Sequence, residues 1–171
     1  MRFSKLGDGG ETSLLGGQRI PKYDSRPDTY GTLDEASSVL GVARAMTKNK
    51  TTKDIILDVQ KDLLILGAEL SSLSEDLGHL KHRIGEGNVN RVEKIIEDLQ
   101  KHVTLKNEFI YPGETAASAQ IDVGRTIIRR AERKAARLKA DGIISNTLIN
   151  KYLNRLADML FTLARYEEQN G

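Results

Sequence analysis

Residues 121–140 read IDVGRTIIRRAERKAARLKA, and this stretch decides the fold class. Ile121, Ile128, Ala131, Ala135 and Leu138 recur at steps of three, four and seven, which places them on one face of a helix. Most other positions in it are charged or small. The pattern extends to a helix from about Glu114 to Ala140. Downstream, Ile149, Leu153, Leu156, Leu160 and Leu163 mark a fifth helix from about Ser145 to Glu168. Upstream, a third fits Asn90 to Val103. A second fits Thr52 to about Leu73, with Ile55, Ile56, Val59, Leu63, Leu66 and Leu70 as its buried stripe. The first is expected to be capped by Asp28 and to run through Tyr30, Leu33, Leu40 and Ala43 to about Met46. Between them, 74–87 reads as a loop, and FIYPGE at 109–114 breaks the pattern at Pro112. Aromatics make up 5% of the chain and no alternating run is bounded by turns, so no strand is expected. The expected fold class is all-α: a five-helix bundle with an ordered glycine-rich N-terminal loop. One domain spans 1–171, with the loop in 1–28 and the bundle in 29–168.

Composition narrows the function. The chain has 171 residues, 39% of them hydrophobic, enough for one domain with a sizeable core. Lys and Arg total 26 against 24 acids, a net charge of +2 that does not point to nucleic acid or an anionic membrane. There is no cysteine, which removes disulfides, thiolate metal sites and cysteine nucleophiles together. No apolar run approaches the ~20 residues that span a bilayer, and MRFSKLGDGG has no signal-peptide core. A cytoplasmic, prokaryotic setting is the simplest expectation. The three histidines, His79, His82 and His102, form no metal-ligand pattern, and no H-E-x-x-H or G-x-S-x-G occurs.

Three segments carry possible chemistry. SKLGDGGETSLLGGQRIPK at 4–22 combines glycines with the hydroxyls of Ser4, Thr12 and Ser13 and the cations Lys5, Arg19 and Lys22. Backbone N–H groups in such a loop can wrap a phosphate while cations compensate its charge. It is neither a Walker A loop nor a Rossmann turn, and a floppy tail is the competing reading. In 125–139, seven basic residues accompany one acid. At about 100° per residue, Arg125, Arg129 and Glu132 fall within about 60° of one another beside the apolar face. All three are therefore expected to be half-buried, where the two guanidiniums need an anionic partner: a phosphate, an acid of another helix, or a neighbouring subunit. Arg130, Arg133, Lys134 and Arg137 point farther round, toward solvent. The third segment is Asn150 and Asn154 with Ala157 and Phe161 on the fifth helix. Its amides read as helix-bridging groups, the usual role of Asn beside a buried stripe, with nucleotide contacts as the sharper alternative. Phe109 and Tyr111, around the proline turn, read as local core or as a ligand platform.

Five blocks in order, SKLGDGGETSLLGGQRIPK at 4–22, YGTLDE at 30–35, FIYPGE at 109–114, RTIIRRAER at 125–133 and YLNRLADMLFTLAR at 152–165, resemble the PduO-type ATP:cob(I)alamin adenosyltransferases. The resemblance implies a homotrimer of five-helix bundles with active sites between adjacent subunits. It implies ATP, Mg²⁺ and cob(I)alamin as substrates and metal, and transfer of the 5′-deoxyadenosyl group to cobalt with release of tripolyphosphate. Ser4, Lys5, Leu6, Gly7, Thr12, Ser13 and Lys22, in the nucleotide-binding loop of 1–28, would hold the triphosphate and its metal, whose protein ligands stay unassigned. Arg129, Arg130, Glu132, Arg133 and Asn154 would complete the nucleotide site, with Arg129 and Glu132 as the most direct contributors. Arg125 would pair with Asp34 across the subunit interface, and Phe109 would sit under the corrin ring. The sequence departs from the family pattern at Ala36, Ser37, Glu114 and Ala157. A cobalamin-dependent enzyme receiving the product is an implied partner, whereas a membrane or nucleic acid is not. A non-catalytic carrier of ATP or adenosylcobalamin is the alternative.

Overall fold

The computed structural model describes residues 5–105 and 108–171. Five helices make up the bundle: α1 (Ser25–Met46), α2 (Lys50–Leu70), α3 (Glu86–Gln100), α4 (Ala116–Ala140) and α5 (Leu148–Asn170). Their ends follow local chemistry. Asp24, not Asp28, caps α1 by accepting from the Arg26 N–H at 2.9 Å. Pro27 then falls in the first turn, where a missing N–H costs nothing. The Asn49 side chain accepts from Thr52 N–H and starts α2 two residues before the expected Thr52. Thr115 and Ser118 exchange side-chain-to-backbone bonds at 3.0 and 3.1 Å, a capping box that opens α4. Gly142, at φ +71°, closes α4, with Ile143 N–H donating to the Leu138 carbonyl at 2.9 Å.

The expectation of no strand is corrected within the N-terminal segment. Strands β1 (Glu11–Ser13) and β2 (Arg19–Pro21) pair antiparallel with Thr12 opposite Ile20, around a turn in which Gly17 adopts φ +89°. Three residues per strand are too few to show an alternating pattern.

Across the bundle the helices lie in the order α2, α1, α4, α5, α3. Contacts of Glu35 with Arg130 and of Asp28 with Lys134 set α1 antiparallel to α4. Those of Glu132 with Asn154 and Asp122 with Arg165 do the same for α4 and α5. Leu33, Leu40, Ile56, Leu66, Ile128, Leu138, Leu153 and Leu156 are essentially inaccessible and form one continuous core. Each such side chain contributes about 1.5–3 kcal/mol by leaving water. Gly124 lets α4 approach α1 closely, since a Cβ there would come within 2.7 Å of a Leu40 methyl.

Polar staples fix the outer helices. The buried Asp62 carboxylate of α2 accepts from the Tyr152 hydroxyl of α5 at 2.9 Å, from Asn88 of α3 at 3.1 Å and from Arg91. Burial first, and the Asp62 charge second, push the Tyr152 phenol well above its ordinary ionisation range, so it remains a donor. Arg26 donates to the carbonyls of Leu70, Ser72 and Ile143, tying the end of α2 to the α4–α5 connection.

Candidate functional site

The hairpin is docked on the bundle, not loose. Leu14 is 3% exposed, and Leu15 N–H donates to the Ser71 carbonyl at the end of α2 at 2.8 Å. Gly16 lies against the Asp76 carboxylate, where any side chain would collide. Arg19 donates to the Leu6 carbonyl at 2.7 Å and to Ser13 Oγ at 3.3 Å, with Glu11 nearby. It therefore holds the turn of Lys5–Gly7 onto β1 and is not left open to a ligand. Lys22 is exposed and runs over Gly7, because a Cβ at Gly7 would reach within 3.0 Å of its Nζ. The glycine thus leaves room for the ammonium beside a backbone turn, a geometry suited to a phosphate. Lys5, Leu6 and Ser13 are exposed around it and Thr12 is half-buried. Ser4 lies outside the described residues.

Beside the hairpin, a cavity of about 500 Å³ opens between β1, α1 and α2. Thr12, Ser13, Tyr30, Asp34, Ser37 and Gln60 line it, over a floor of Leu33 and Leu63. Asp34 is exposed and forms no ion pair among the described residues. The Gln60 amide donates to the Ser37 carbonyl at 2.9 Å, so an amide group stands at Ser37 although that residue has none.

The second set of residues lies beyond α4. Arg125 and Arg129 line a groove of about 610 Å³ with Arg155, Phe161 and residues of α3. Glu132 is half-buried and accepts from the Asn154 amide at 3.1 Å, and its carbonyl accepts from Asn150 at 3.4 Å. Arg155 donates to Asn154 Oδ1 at 3.1 Å, which orients that amide toward Glu132. Arg133 folds back on the Arg129 carbonyl. Both asparagines thus bridge helices, and Asn154 remains exposed beside the groove.

Two burial expectations are corrected. Arg129 is exposed, whereas Arg125 and Glu132 are half-buried. Conversely, Arg130 and Lys134 do not point to open solvent: they are half-buried and contact Glu35 and Asp28 of α1. The reason is that α4 has a neighbour on either side, so both flanks of its apolar face border another helix. Arg130 is consequently not brought together with Glu132 and Asn154.

Within the chain, Arg125 Nε donates to Asp122 at 2.7 Å, and its Nη groups meet no acceptor among the described residues. Asp34 lies on the other side of the bundle. Phe109 and Tyr111 are 95% and 85% exposed, so they are not local core. They border a cavity of about 470 Å³ with Glu114, Arg165 and Glu168. Sequence reasoning missed Gln60, Asp122, Arg155 and Arg165. Asp122 had a visible signal, an acid one residue beyond Ile121 and one turn before Arg125.

None of these cavities is lined by both the hairpin and the Arg129–Glu132–Asn154 strip. The two clusters of candidate residues are thus separate within one chain.

Comparison with known proteins identifies the family. The cobalamin adenosyltransferase family model matches residues 3–167. A corrinoid adenosyltransferase of Citrobacter freundii is 40% identical over 166 residues, covering 97% of this chain and 94% of the relative. One from Bacillus subtilis is 33% identical, with 95% and 84% covered. Among solved structures, a phenylalanine-to-histidine variant of a PduO-type ATP:corrinoid adenosyltransferase from Lactobacillus reuteri, complexed with cobalamin and ATP, superposes with a TM-score of 0.88 at 30% identity. That match covers 97% of this chain and 90% of the other. The chain belongs to the cobalamin adenosyltransferase family.

Proposed function

We infer that this protein transfers the 5′-deoxyadenosyl group of ATP to the cobalt of cob(I)alamin. The observation that carries the reading is the pairing, in a chain of this family, of a lysine-bearing glycine turn with a separate Arg129–Glu132–Asn154 strip. Cobalt(I) is itself the nucleophile: its electron pair attacks C5′, the cobalt–carbon bond forms, and the C5′–O bond breaks. Tripolyphosphate leaves with that electron pair, and no proton need move. The protein's tasks are alignment and charge neutralisation. Lys5 and Lys22 neutralise phosphate charge, while Thr12, Ser13 and the backbone N–H groups around Leu6 and Gly7 orient it. Arg129 and Arg133 meet the nucleotide from α4, and the amide of Asn154, held by Glu132 and Arg155, positions it. Exposed Phe109 offers an apolar face to the corrin ring, excluding water and a lower ligand from cobalt.

Mg²⁺ fits as a passenger of ATP. Among the described residues no group of three or more acids and histidines could hold a metal, whereas a triphosphate supplies several oxygens. Bound there, the ion adds to the charge neutralisation of the leaving group.

The two half-sites complete each other only between copies. Asp34, unpaired on one face, complements the open Nη edge of Arg125 on the other. A closed homotrimer in which each hairpin meets the next chain's α4 and α5 satisfies both. No helix among the described residues is long and apolar enough to cross a membrane, and a cytoplasmic protein delivering its product to a cobalamin-dependent enzyme is the setting we propose.

The test is anaerobic incubation of reduced cob(I)alamin with ATP, Mg²⁺ and protein, followed by absorbance. Photolabile adenosylcobalamin is expected only when protein and ATP are both present. Saturable ATP binding without conversion would instead identify a carrier.

A further inference from the structure

Asp122 has no part in the transfer step described above, yet it is a buried acid, 3% exposed. Its Oδ1 accepts from Arg125 Nε at 2.7 Å and its Oδ2 from Arg165 Nη2 at 2.6 Å. Arg165, on α5, is also 3% exposed, and the same Nη2 donates to Glu168 at 2.8 Å. The Phe161 ring lies near both guanidinium groups, at 5.9 Å from Arg125 and 5.5 Å from Arg165. Two acids and two arginines thus balance in charge around a buried Asp122–Arg165 pair.

The two arginines serve different cavities. Arg125 lines the groove that also holds Arg129. Arg165 and Glu168 line the cavity bordered by Phe109. One carboxylate therefore joins the walls of both. Engaging Arg125 through Nε leaves its Nη edge, the part that meets no acceptor among the described residues, for a partner outside the chain. The Arg125 side chain is 21% exposed, so it is the freer of the two arginines once the shared acid is lost.

We propose that Asp122 is a positioning residue for adenosyl transfer, fixing the Nη edge of Arg125 and tying it, through Arg165, to the wall of the Phe109 cavity. The proposal rests on the transfer reading above. A buried carboxylate between two guanidiniums is costly to disturb, because each group left behind lacks its counter-charge. The isosteric Asn keeps the shape and removes the charge.

A double-mutant cycle in the anaerobic assay tests this, using the wild type, Asp122→Asn, Arg125→Ala and the double variant. Asp122→Asn is expected to lower kcat/KM for cob(I)alamin about tenfold while the KM for ATP stays within about twofold. On the Arg125→Ala background the same change should cost less than about twofold, since the residue it positions is gone. Equal penalties on both backgrounds, or wild-type kinetics for Asp122→Asn, would overturn the proposal and leave a packing role. Should Asp122→Asn not fold, Arg165→Lys, which keeps the charge and shortens the reach, serves in the same cycle with the same expectations. A wild-type protein that forms no adenosylcobalamin removes the transfer reading itself, an outcome distinct from equal penalties in an active enzyme.

Discussion

Arg129 and Glu132 stand about one turn apart on α4, yet their surroundings give them different work. Glu132 is half-buried and committed to Asn154. The Arg129 guanidinium is exposed and donates to no described residue, and only its backbone carbonyl is engaged, by Arg133. An arginine with no intramolecular partner does little for stability, and removing it should alter unfolding by no more than about 0.5 kcal/mol. It is free, however, to meet a phosphate. Arg129→Ala is therefore expected to reduce kcat/KM by more than about tenfold, or ~1.4 kcal/mol of barrier, with the thermal midpoint unchanged. Steady-state kinetics beside thermal denaturation would check it, and a smaller loss would make Arg129 a solvated charge. Arg130 illustrates the opposite case, because its contact with Glu35 commits it to joining α4 and α1.

Among the elements, the β1–β2 hairpin has one fully buried apolar side chain among the described residues, Leu14. Leu14 is buried against the bundle while Leu15 next to it is 61% exposed. Leu14→Ala should detach the hairpin without unfolding the helices. The amide of Leu15, bonded to Ser71, is expected to lose hydrogen-exchange protection ahead of the core. The KM for ATP should rise severalfold, and kcat at saturating ATP should be largely kept. Protection and KM both at wild-type values would show that the hairpin is held by something else. How much was legible in the sequence differs from element to element. Helix existence was plain, because stripes such as Ile121 to Leu138 leave no other period. Helix starts were less so: Asp24 and Asp28 are both good caps, and the Pro27 between them is compatible with either, because a first turn tolerates it. Asp28 proved to be a contact of Lys134. The hairpin escaped because its strands are so short. Burial on α4 was misjudged because a helical wheel shows one apolar face but not which helices flank it.

For the whole molecule, the decisive feature is separation. The lysine-bearing turn and Asp34 lie beside α1 and α2, whereas Arg125, Arg129 and Asn154 lie beside α3 and α5, with the α1–α4 contact between them. The residue types of the site were readable from the motifs, and the resemblance implied a site between subunits, but the helices that flank each cluster were not readable, because a motif does not say which helix packs beside it. The proposed site, built across two copies, makes a specific demand of mixed oligomers. Lys22→Ala disables one half-site and Arg129→Ala the other, so each homo-oligomer should be inactive. When the two are unfolded and refolded together, random assembly places two intact halves in contact at about a quarter of the sites. The most direct measurement is the anaerobic adenosylation rate of that mixture against the wild type. Recovery of roughly a quarter of wild-type activity is expected; a mixture as inactive as its components, beside an active wild type refolded the same way, would contradict a shared site.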